Sequence, residues 1–191
     1  MAREKIPYQT DVAVLLEHPT DVLNADPLDF ADDASTCSFK VFDPNVDEVL
    51  TATEAGGQTV LSVSNAGVFV VGHLVEVSLD SGIFHDFTVS AVDPAAGTVT
   101  GAPALATTAS VGRRVRRRLG NSVAMAAYGT PKLGKTDWGF VGTLLRTHPG
   151  LELGLEVNVE IYFVGAVGGG LDLLKVLCAV VSPVEDCEAC S

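Results

Sequence analysis

The chain has 191 residues, of which 24 are acidic and 12 are basic, for a formal net charge of −12. Hydrophobic residues make up 47% of it and charged residues only 19%. Disordered acidic tails lack apolar residues to bury, so the composition excludes that class. The length fits one or two domains. Nineteen glycines and nine prolines predict many turns, and an aromatic content of only 6% predicts a core that is mainly aliphatic.

The first 48 residues are predicted to form an N-terminal arm followed by a first strand. Asp11–His18 fits either a short helix or a strand. The acidic stretch Asn24–Asp33 lacks the alternating ligands and the bend glycine of a calcium loop, so we interpret it as a solvated loop. Ser38–Phe42 alternates in polarity and predicts a strand, which Asp43–Asn45 is expected to end in a turn.

Residues 49–118 are predicted to form a small β-barrel module. Short alternating segments are separated by glycine- and proline-containing turns such as Asp80–Gly82 and Asp93–Gly97. Turns that recur roughly every 8–12 residues are typical of small barrels and sandwiches. The predicted strands are Val49–Thr53, Thr59–Ser64, Phe69–Leu79, Ile83–Val92 and Thr98–Thr100.

Residues 119–191 are interpreted as a basic loop, a set of closing strands and a C-terminal tail. Asn121–Lys135 is polar and broken by glycines, which predicts an exposed loop. Trp138–Arg146 and Leu151–Phe163 predict strands, and the second alternates most clearly. Leu171–Ser182 fits a strand or a helix. The chain as a whole is therefore predicted to be mainly β, a small barrel or sandwich with an inserted β module, long loops and little helix.

The charge is distributed unevenly along the chain. Residues 1–50 carry a net charge of −8, residues 51–112 carry −5, residues 113–135 carry +7 and the remainder carries −6. Such a dipolar layout favours association with copies of the protein or with an acidic partner. The positive window consists of Arg113, Arg114, Arg116, Arg117, Arg118, Lys132 and Lys135. These seven residues are the predicted interface or phosphate-contact site.

The arginine run at its start is the most specific feature of the sequence. Five guanidinium groups in six positions repel one another and require either anionic partners or full solvation. In a strand, Arg114, Arg116 and Arg118 would share one face. Three interpretations remain open: contact with the acidic surface of a neighbouring copy, contact with nucleic-acid phosphates, or a solvated strand edge that prevents edge-to-edge pairing.

No motif predicts catalysis, a cofactor or a metal. Gly129–Thr136 formally matches a phosphate-binding loop, but its flanks do not predict the required strand and helix, and Pro131 removes an amide donor. Cys187 and Cys190 form a C-x-x-C pair without the second pair of a zinc site, so we interpret them as part of the tail. Cys37 and Cys178 are interpreted as packing residues. We expect a protein that is not an enzyme.

The sequence also predicts no targeting or membrane segment. The first ten residues contain no apolar signal-peptide core. The uncharged stretch Ala55–Val75 is long, but it alternates in polarity and is better interpreted as strands. We therefore expect a protein that is made, and kept or assembled, in the cytosol.

Three segments together show a resemblance to a known class of module. They are Phe69–Val77, Asp80–Gly82 and Val89–Thr100, with the sequences FVVGHLVEV, DSG and VSAVDPAAGTVT. They resemble the small β-barrel modules of tailed-bacteriophage virion proteins, which occur in head–tail connector, tail and capsid-associated proteins. His73 stands where those modules usually have aspartate. The resemblance covers the middle of the chain, and its motifs are turn residues.

The resemblance implies a non-enzymatic subunit of a ring or lattice in a virion that is assembled in the host cytoplasm. The leading expectation is a head–tail neck protein (connector, stopper or adaptor) that forms a homo-oligomeric ring. Its partners would be copies of itself and portal, tail or capsid proteins, with passing contact to DNA. A capsid decoration or tail/baseplate subunit is the alternative, and a ligand-binding β module or nucleotide-binding enzyme is a more remote one.

Overall fold

The structure is a computed structural model. In it, the chain folds into two compact units. One unit, here called the inserted barrel, is Phe42–Leu119, and the other, the outer unit, consists of Met1–Val41 and Gly120–Ser191. The predicted module boundaries, 49 and 118, lie inside the inserted barrel. The structure describes residues 4–7, 12–17, 36–128, 139–145, 148, 151–152, 154–164 and 171–182.

The described residues form twelve strands, with no α-helix among them and one 3-10 turn at Ala66–Val68. The prediction of a mainly β protein is thus confirmed. The strands are β1 Glu4–Pro7, β2 Val12–Glu17, β3 Thr36–Val49, β4 Val60–Ser62, β5 Leu74–Ser78, β6 Phe84–Asp93, β7 Thr98–Ala102, β8 Arg114–Arg118, β9 Val123–Tyr128, β10 Gly139–Leu144, β11 Glu156–Val164 and β12 Leu171–Ser182.

The inserted barrel is an antiparallel sheet that closes on itself. Its strands follow the order β3-β8-β5-β6-β7-β4. Beyond β4 the sheet returns to β3, because Leu50 bridges Val63 and the Ser64 N–H donates to the Val49 carbonyl at 2.9 Å. Closure removes the free edges that an open six-stranded sheet would present. The predicted small β-barrel is therefore the architecture of this unit.

Alternating side chains fill the interior of the barrel. Because successive residues of a strand point to opposite faces, the side chains at every second position point into the core. The core side chains are Val46, Leu50, Leu61, Val63, Ala66, Phe69, Val75, Val77, Leu79, Phe87, Val89, Val99, Leu105, Ala109 and Val115. Gly101 lies against this core, where a Cβ atom would stand 2.2 Å from the Thr88 carbonyl oxygen and 2.5 Å from the Phe87 ring. Only glycine fits there.

The predicted turn at Asp43–Asn45 is wrong. These residues form an irregularity inside the 14-residue strand β3, where the pairing with β8 shifts between Phe42 and Asp47. The Asn45 N–H donates to Asp43 Oδ1 at 2.9 Å, which is the local bond that the sequence signals as a turn. Pairing with β8 on both sides of the irregularity keeps the chain extended.

The predicted strand Phe69–Leu79 is also shorter than expected, since β5 begins only at Leu74. The preceding residues turn at Gly72, whose φ of +92° favours glycine. The Gly72 N–H donates to the Val89 carbonyl at 2.8 Å, which ties this turn to β6.

In the outer unit, β1 pairs with β12 in parallel and β12 pairs with β11, which lies beside β3. On the other side of β3 follow β9, β10 and β2. The described parts of the predicted N-terminal arm are therefore paired strands. Of the helix and the strand that fit Asp11–His18, the structure has the strand, over Val12–Glu17.

The two outermost strands of this sheet are close in sequence. Five Cα steps from Pro7 to Val12 span about 18 Å at most. Seven strands laid flat would hold their outer members about 29 Å apart, at roughly 4.8 Å per strand. The sheet of the outer unit must therefore curve strongly.

Two further predictions fall in the outer unit. The exposed loop predicted at Asn121–Lys135 is wrong for Val123–Tyr128, which is strand β9. Its alanines are weak strand formers, but pairing with β3 and β10 overrides that preference. Leu171–Ser182, left open between strand and helix, is strand β12 and contains Cys178.

The clearest alternation of the sequence gives strand β11. Val157, Val159 and Ile161 lie on one face of it and are buried. Glu160 and Tyr162, on the opposite face, are also buried, and the Tyr162 hydroxyl donates to the Glu160 carboxylate. The amino group of Lys40 lies 5.0 Å from the centre of the Tyr162 ring. Both faces of β11 are therefore covered.

Several predicted features lie outside the described residues. They are the acidic loop Asn24–Asp33, the phosphate-loop match Gly129–Thr136 with Lys132 and Lys135, and the pair Cys187 and Cys190.

Candidate functional site on the arginine strand

Four of the five arginines of the run lie in β8, Arg113 directly precedes it, and β8 is an internal strand of the inserted barrel. It pairs with β3 on one side and with β5 on the other, antiparallel to both. Val115 points into the apolar core, whereas Arg116 and Arg118 lie on the other face of the sheet. The interpretation of the run as a solvated sheet edge is therefore wrong.

Each arginine of the run has an acidic partner within the inserted barrel. The barrel carries eight acidic residues against five arginines, a net charge of −3. The neighbouring strands and the β5–β6 hairpin supply the carboxylates. The pairs are Arg113 with Asp80 at 2.8 Å, Arg114 with Asp47, Arg116 with Glu76 at 2.9 Å, Arg117 with Asp43 at 3.1 Å and Arg118 with Asp86 at 2.8 Å.

The pairs near the end of β8 form a cluster, here called the arginine cluster (Glu76, Arg116, Arg118 and Asp86), in which Asp86 is exposed and the other three side chains are buried. Glu76 is 1% exposed and Arg116 is 4% exposed. One Glu76 oxygen accepts from Arg116, and the other lies 3.8 Å from Arg118. Arg118 donates through both terminal nitrogens to the two Asp86 oxygens. Burial of so many charges is tolerable only because each one is paired.

An aromatic ring adds a second kind of contact to this cluster. The Arg116 guanidinium lies 3.7 Å from the centre of the Phe42 ring and 5.7 Å from that of Phe84. A guanidinium is planar and weakly hydrated, so it stacks on aromatic faces better than an ammonium group does. The rings and Glu76 together fix the orientation of Arg116.

The start of β8 is different, because its pairs are open to solvent. The side chains of Arg113 and Arg114 are 41% and 53% exposed. Asp80 holds this end together: it accepts from the Ser110 hydroxyl at 2.7 Å, the Ser110 N–H at 3.1 Å and Arg113 Nε at 2.8 Å. These bonds, led by the one from the Ser110 hydroxyl, lower the pKa of Asp80 below its ordinary value. The carboxylate form is thus the one that the fold selects.

The structure therefore separates the seven residues of the predicted site. Arg113 and Arg114 are open to a partner, Arg117 is partly covered, and Arg116 and Arg118 are buried. Lys132 and Lys135 lie outside the described residues. The five carboxylate partners are not apparent from the sequence near the run, because they come from other strands and from the β5–β6 hairpin. The only sign of them in the sequence is an acidic residue placed next to core residues of a strand, such as Glu76 on β5 and Asp86 on β6.

Apolar side chains form a second group of candidate contact residues on the inserted barrel. Two precede β5, one lies in the β5–β6 hairpin and one precedes β8, and all are at least half exposed. They are Val70, Val71, Ile83 and Val111. Single exposed apolar residues are ordinary on protein surfaces, so these four carry weight only together with the other features of the barrel.

The remaining chemistry-bearing side chains of the described residues are few. No group of three metal-ligating side chains occurs among them. Burial raises the pKa of the Cys37 thiol to about 12, and its sulfur lies 3.6 Å from that of Met125. Cys37 is thus a packed, protonated thiol.

In the described parts of the chain, no helix is long and apolar enough to span a membrane.

Comparison with protein-family models gives no match, and no curated protein matches the chain.

Proposed function

We propose that the chain is a structural subunit of a tailed-bacteriophage virion, at the head–tail neck, that assembles into a homo-oligomeric ring. The observation that carries the proposal is the inserted barrel. The segments that resemble the virion module, Phe69–Val77, Asp80–Gly82 and Val89–Thr100, supply β5, its hairpin and much of β6 and β7 of a closed barrel. Its insertion into a second β unit gives one chain two bodies, which suits a subunit that contacts several neighbours.

The exposed apolar loop residues support protein–protein contact as the role of the barrel. Subunit interfaces bury apolar side chains at their centre within a polar rim. In sequence, Ile83 lies three residues after Asp80, and Val111 lies between Ser110 and Arg113, which are hydrogen-bonded to that aspartate. That arrangement offers both components of an interface on the loops of a rigid scaffold.

The charge arrangement favours protein over DNA as the partner of the arginine strand. A phosphate would compete with Asp47 for Arg114 and with Asp80 for Arg113, and it would enter an acidic surrounding. A neighbouring copy can add a contact to the exposed guanidinium groups without displacing their carboxylates. A net charge of −12 also suits a ring through which DNA passes without sticking.

The proposal is tested by electron microscopy and mass photometry of the purified protein. We expect closed rings of one copy number, because homo-oligomers have closed point-group symmetry. Immunogold labelling of phage particles should place the protein at the neck. The proposal is overturned if the protein stays monomeric at every concentration and no particle is labelled. Label on the capsid or on the tail tip would instead support one of the alternative virion positions.

A matched pair of variants tests the role of the apolar loops. Val111→Asp places a charge at an exposed apolar position, whereas Gln58→Asp places one at an exposed polar loop position of the same barrel. We expect Val111→Asp to weaken ring formation at least tenfold in protein concentration, about 1.4 kcal/mol, and Gln58→Asp to leave it unchanged. If both variants assemble equally well, the loop before β8 is not part of the interface.

A further inference from the structure

The turn that precedes β5 is closed by a histidine side chain. The Val70 N–H donates to His73 Nδ1 at 3.2 Å, and the His73 N–H donates back to the Val70 carbonyl at 3.0 Å. On the far side of the turn, Gly72 and His73 exchange backbone bonds with Val89 at 2.8 and 2.9 Å. The segment that these bonds hold carries two exposed apolar side chains, Val70 and Val71.

Charged groups of two neighbouring strands act electrostatically on this histidine. They are Arg117 of β8 and Asp43 of β3, which are bonded to each other at 3.1 Å. From β6, the backbone of Val89 meets the turn, while Asp86 of that strand is bonded to Arg118. The carboxylate of Asp43 is thus paired with Arg117.

The hydrogen bond from Val70 exists for only one form of the imidazole ring. Nδ1 accepts a proton from the backbone only when the ring is neutral and carries its own proton on Nε2. Protonation places a hydrogen on Nδ1, so two donors then face each other. It also creates a cation beside Arg117. Both effects oppose the closed turn.

We propose that the Val70–His73 turn is an acid-sensitive latch, in which protonation of His73 breaks the bond from the Val70 N–H and frees the segment that carries Val70 and Val71. Gly72, whose positive φ favours glycine, joins that segment to β5 and stays bonded to Val89. The inference stands on this turn alone and does not depend on the proposed function.

The direction of the pH response follows from the surroundings of the ring. Burial, and then the charge of Arg117, lower the pKa of His73 below its ordinary value of 6.5, with Asp43 acting in the opposite sense. A histidine whose pKa is lower in the folded state stabilises the fold above that ordinary value. The contribution is lost as the pH falls from 6.5 towards the folded pKa. The latch is therefore closed at neutral pH and opens only below the ordinary histidine value of 6.5.

Nuclear magnetic resonance tests the latch on the full chain. At neutral pH, the ring nitrogen shifts of His73 should show the proton on Nε2. On acidification, the Val70 amide shift should follow the titration of His73, and its protection from exchange, corrected for the intrinsic rate, should fall at least about fivefold, as expected for one lost hydrogen bond. A neutral ring with its proton on Nδ1, or a Val70 amide that does not follow His73, overturns the proposal.

Three variants separate the latch from general acid sensitivity. His73→Asn keeps an acceptor at the same number of bonds from the backbone but does not titrate, so Val70 should stay protected at both pH values. His73→Ala should lose the protection at both. His85→Asn removes a histidine whose Nε2 lies 3.2 Å from the Pro103 carbonyl, and Val70 should respond as in the wild type. A His73→Asn protein that keeps the wild-type response contradicts the latch.

Discussion

The two ends of β8 carry the same residue type in different surroundings. At its start, Arg113 and Arg114 pair with carboxylates in solvent, where water and ions screen the attraction. Towards its end, both guanidinium groups are buried: Arg116 pairs with the buried Glu76 and lies against the face of Phe42, and Arg118 pairs with Asp86, whose carboxylate reaches solvent. A solvent-exposed pair contributes little to stability and leaves its guanidinium open to a partner. A buried pair is unavailable to partners, and breaking it leaves a charge without compensation.

Among changes at the two ends of β8, removal of Glu76 should lower the free energy of unfolding the most. Glu76→Ala leaves Arg116 buried without its observed carboxylate, and the free energy of unfolding should fall by about 3–5 kcal/mol. Urea denaturation followed by circular dichroism measures the change. A loss below about 1 kcal/mol would mean that the cluster is solvated like the start of β8.

The stacking of Arg116 on Phe42 should give the next largest effect. A double-mutant cycle with Phe42→Leu and Arg116→Met isolates the pair from the packing that each residue makes elsewhere. We expect a coupling energy of about 2 kcal/mol, because the guanidinium is removed from water. Arg114 with Phe42 serves as the control cycle, and its coupling should be close to zero. Equal coupling in both cycles would erase the distinction between the two ends.

Disruption of the exposed pair should change stability only slightly. Arg114→Ala should lower the free energy of unfolding by less than about 1 kcal/mol, and high salt should abolish the difference. The same urea denaturation, at low and at high salt, measures it. If Arg114 contacts a neighbouring copy, as proposed, the variant should weaken ring formation more than it weakens the fold.

The smallest effect is expected at Asp80 and appears in the pH dependence. The pKa of Asp80 is lowered in the folded state, so its contribution to stability is present above the ordinary value of 3.8 and is lost as the pH falls towards the folded pKa. At about pH 6, the Tm of Asp80→Asn should be lower than that of the wild type. In acid, the two Tm values should converge. A constant difference across that range would show that the charge of Asp80 has no role at this end of the strand.

The sequence predicted the strands where local pattern and tertiary pairing agree. Val157, Val159 and Ile161 alternate and are buried, and the Asp93–Gly97 turn is held by Asp93 Oδ1, which accepts the Ala95 and Ala96 N–H groups. Both signals are local: side chains alternate because of strand geometry, and an aspartate caps its own turn. Where a neighbouring strand opposed the local signal, the prediction failed, as at Asp43–Asn45 and in the alanine-rich strand β9.

The candidate site divides in the same way. The sequence alone indicated that five closely spaced arginines require either anionic partners or full solvation. Only the tertiary structure decided that the partners belong to the same chain, because Asp43, Asp47, Glu76, Asp80 and Asp86 reach the run through strand pairing and not through sequence proximity. Charge along a sequence is a local sum, whereas charge on a surface depends on which strands the fold brings together and which side chains it removes from water.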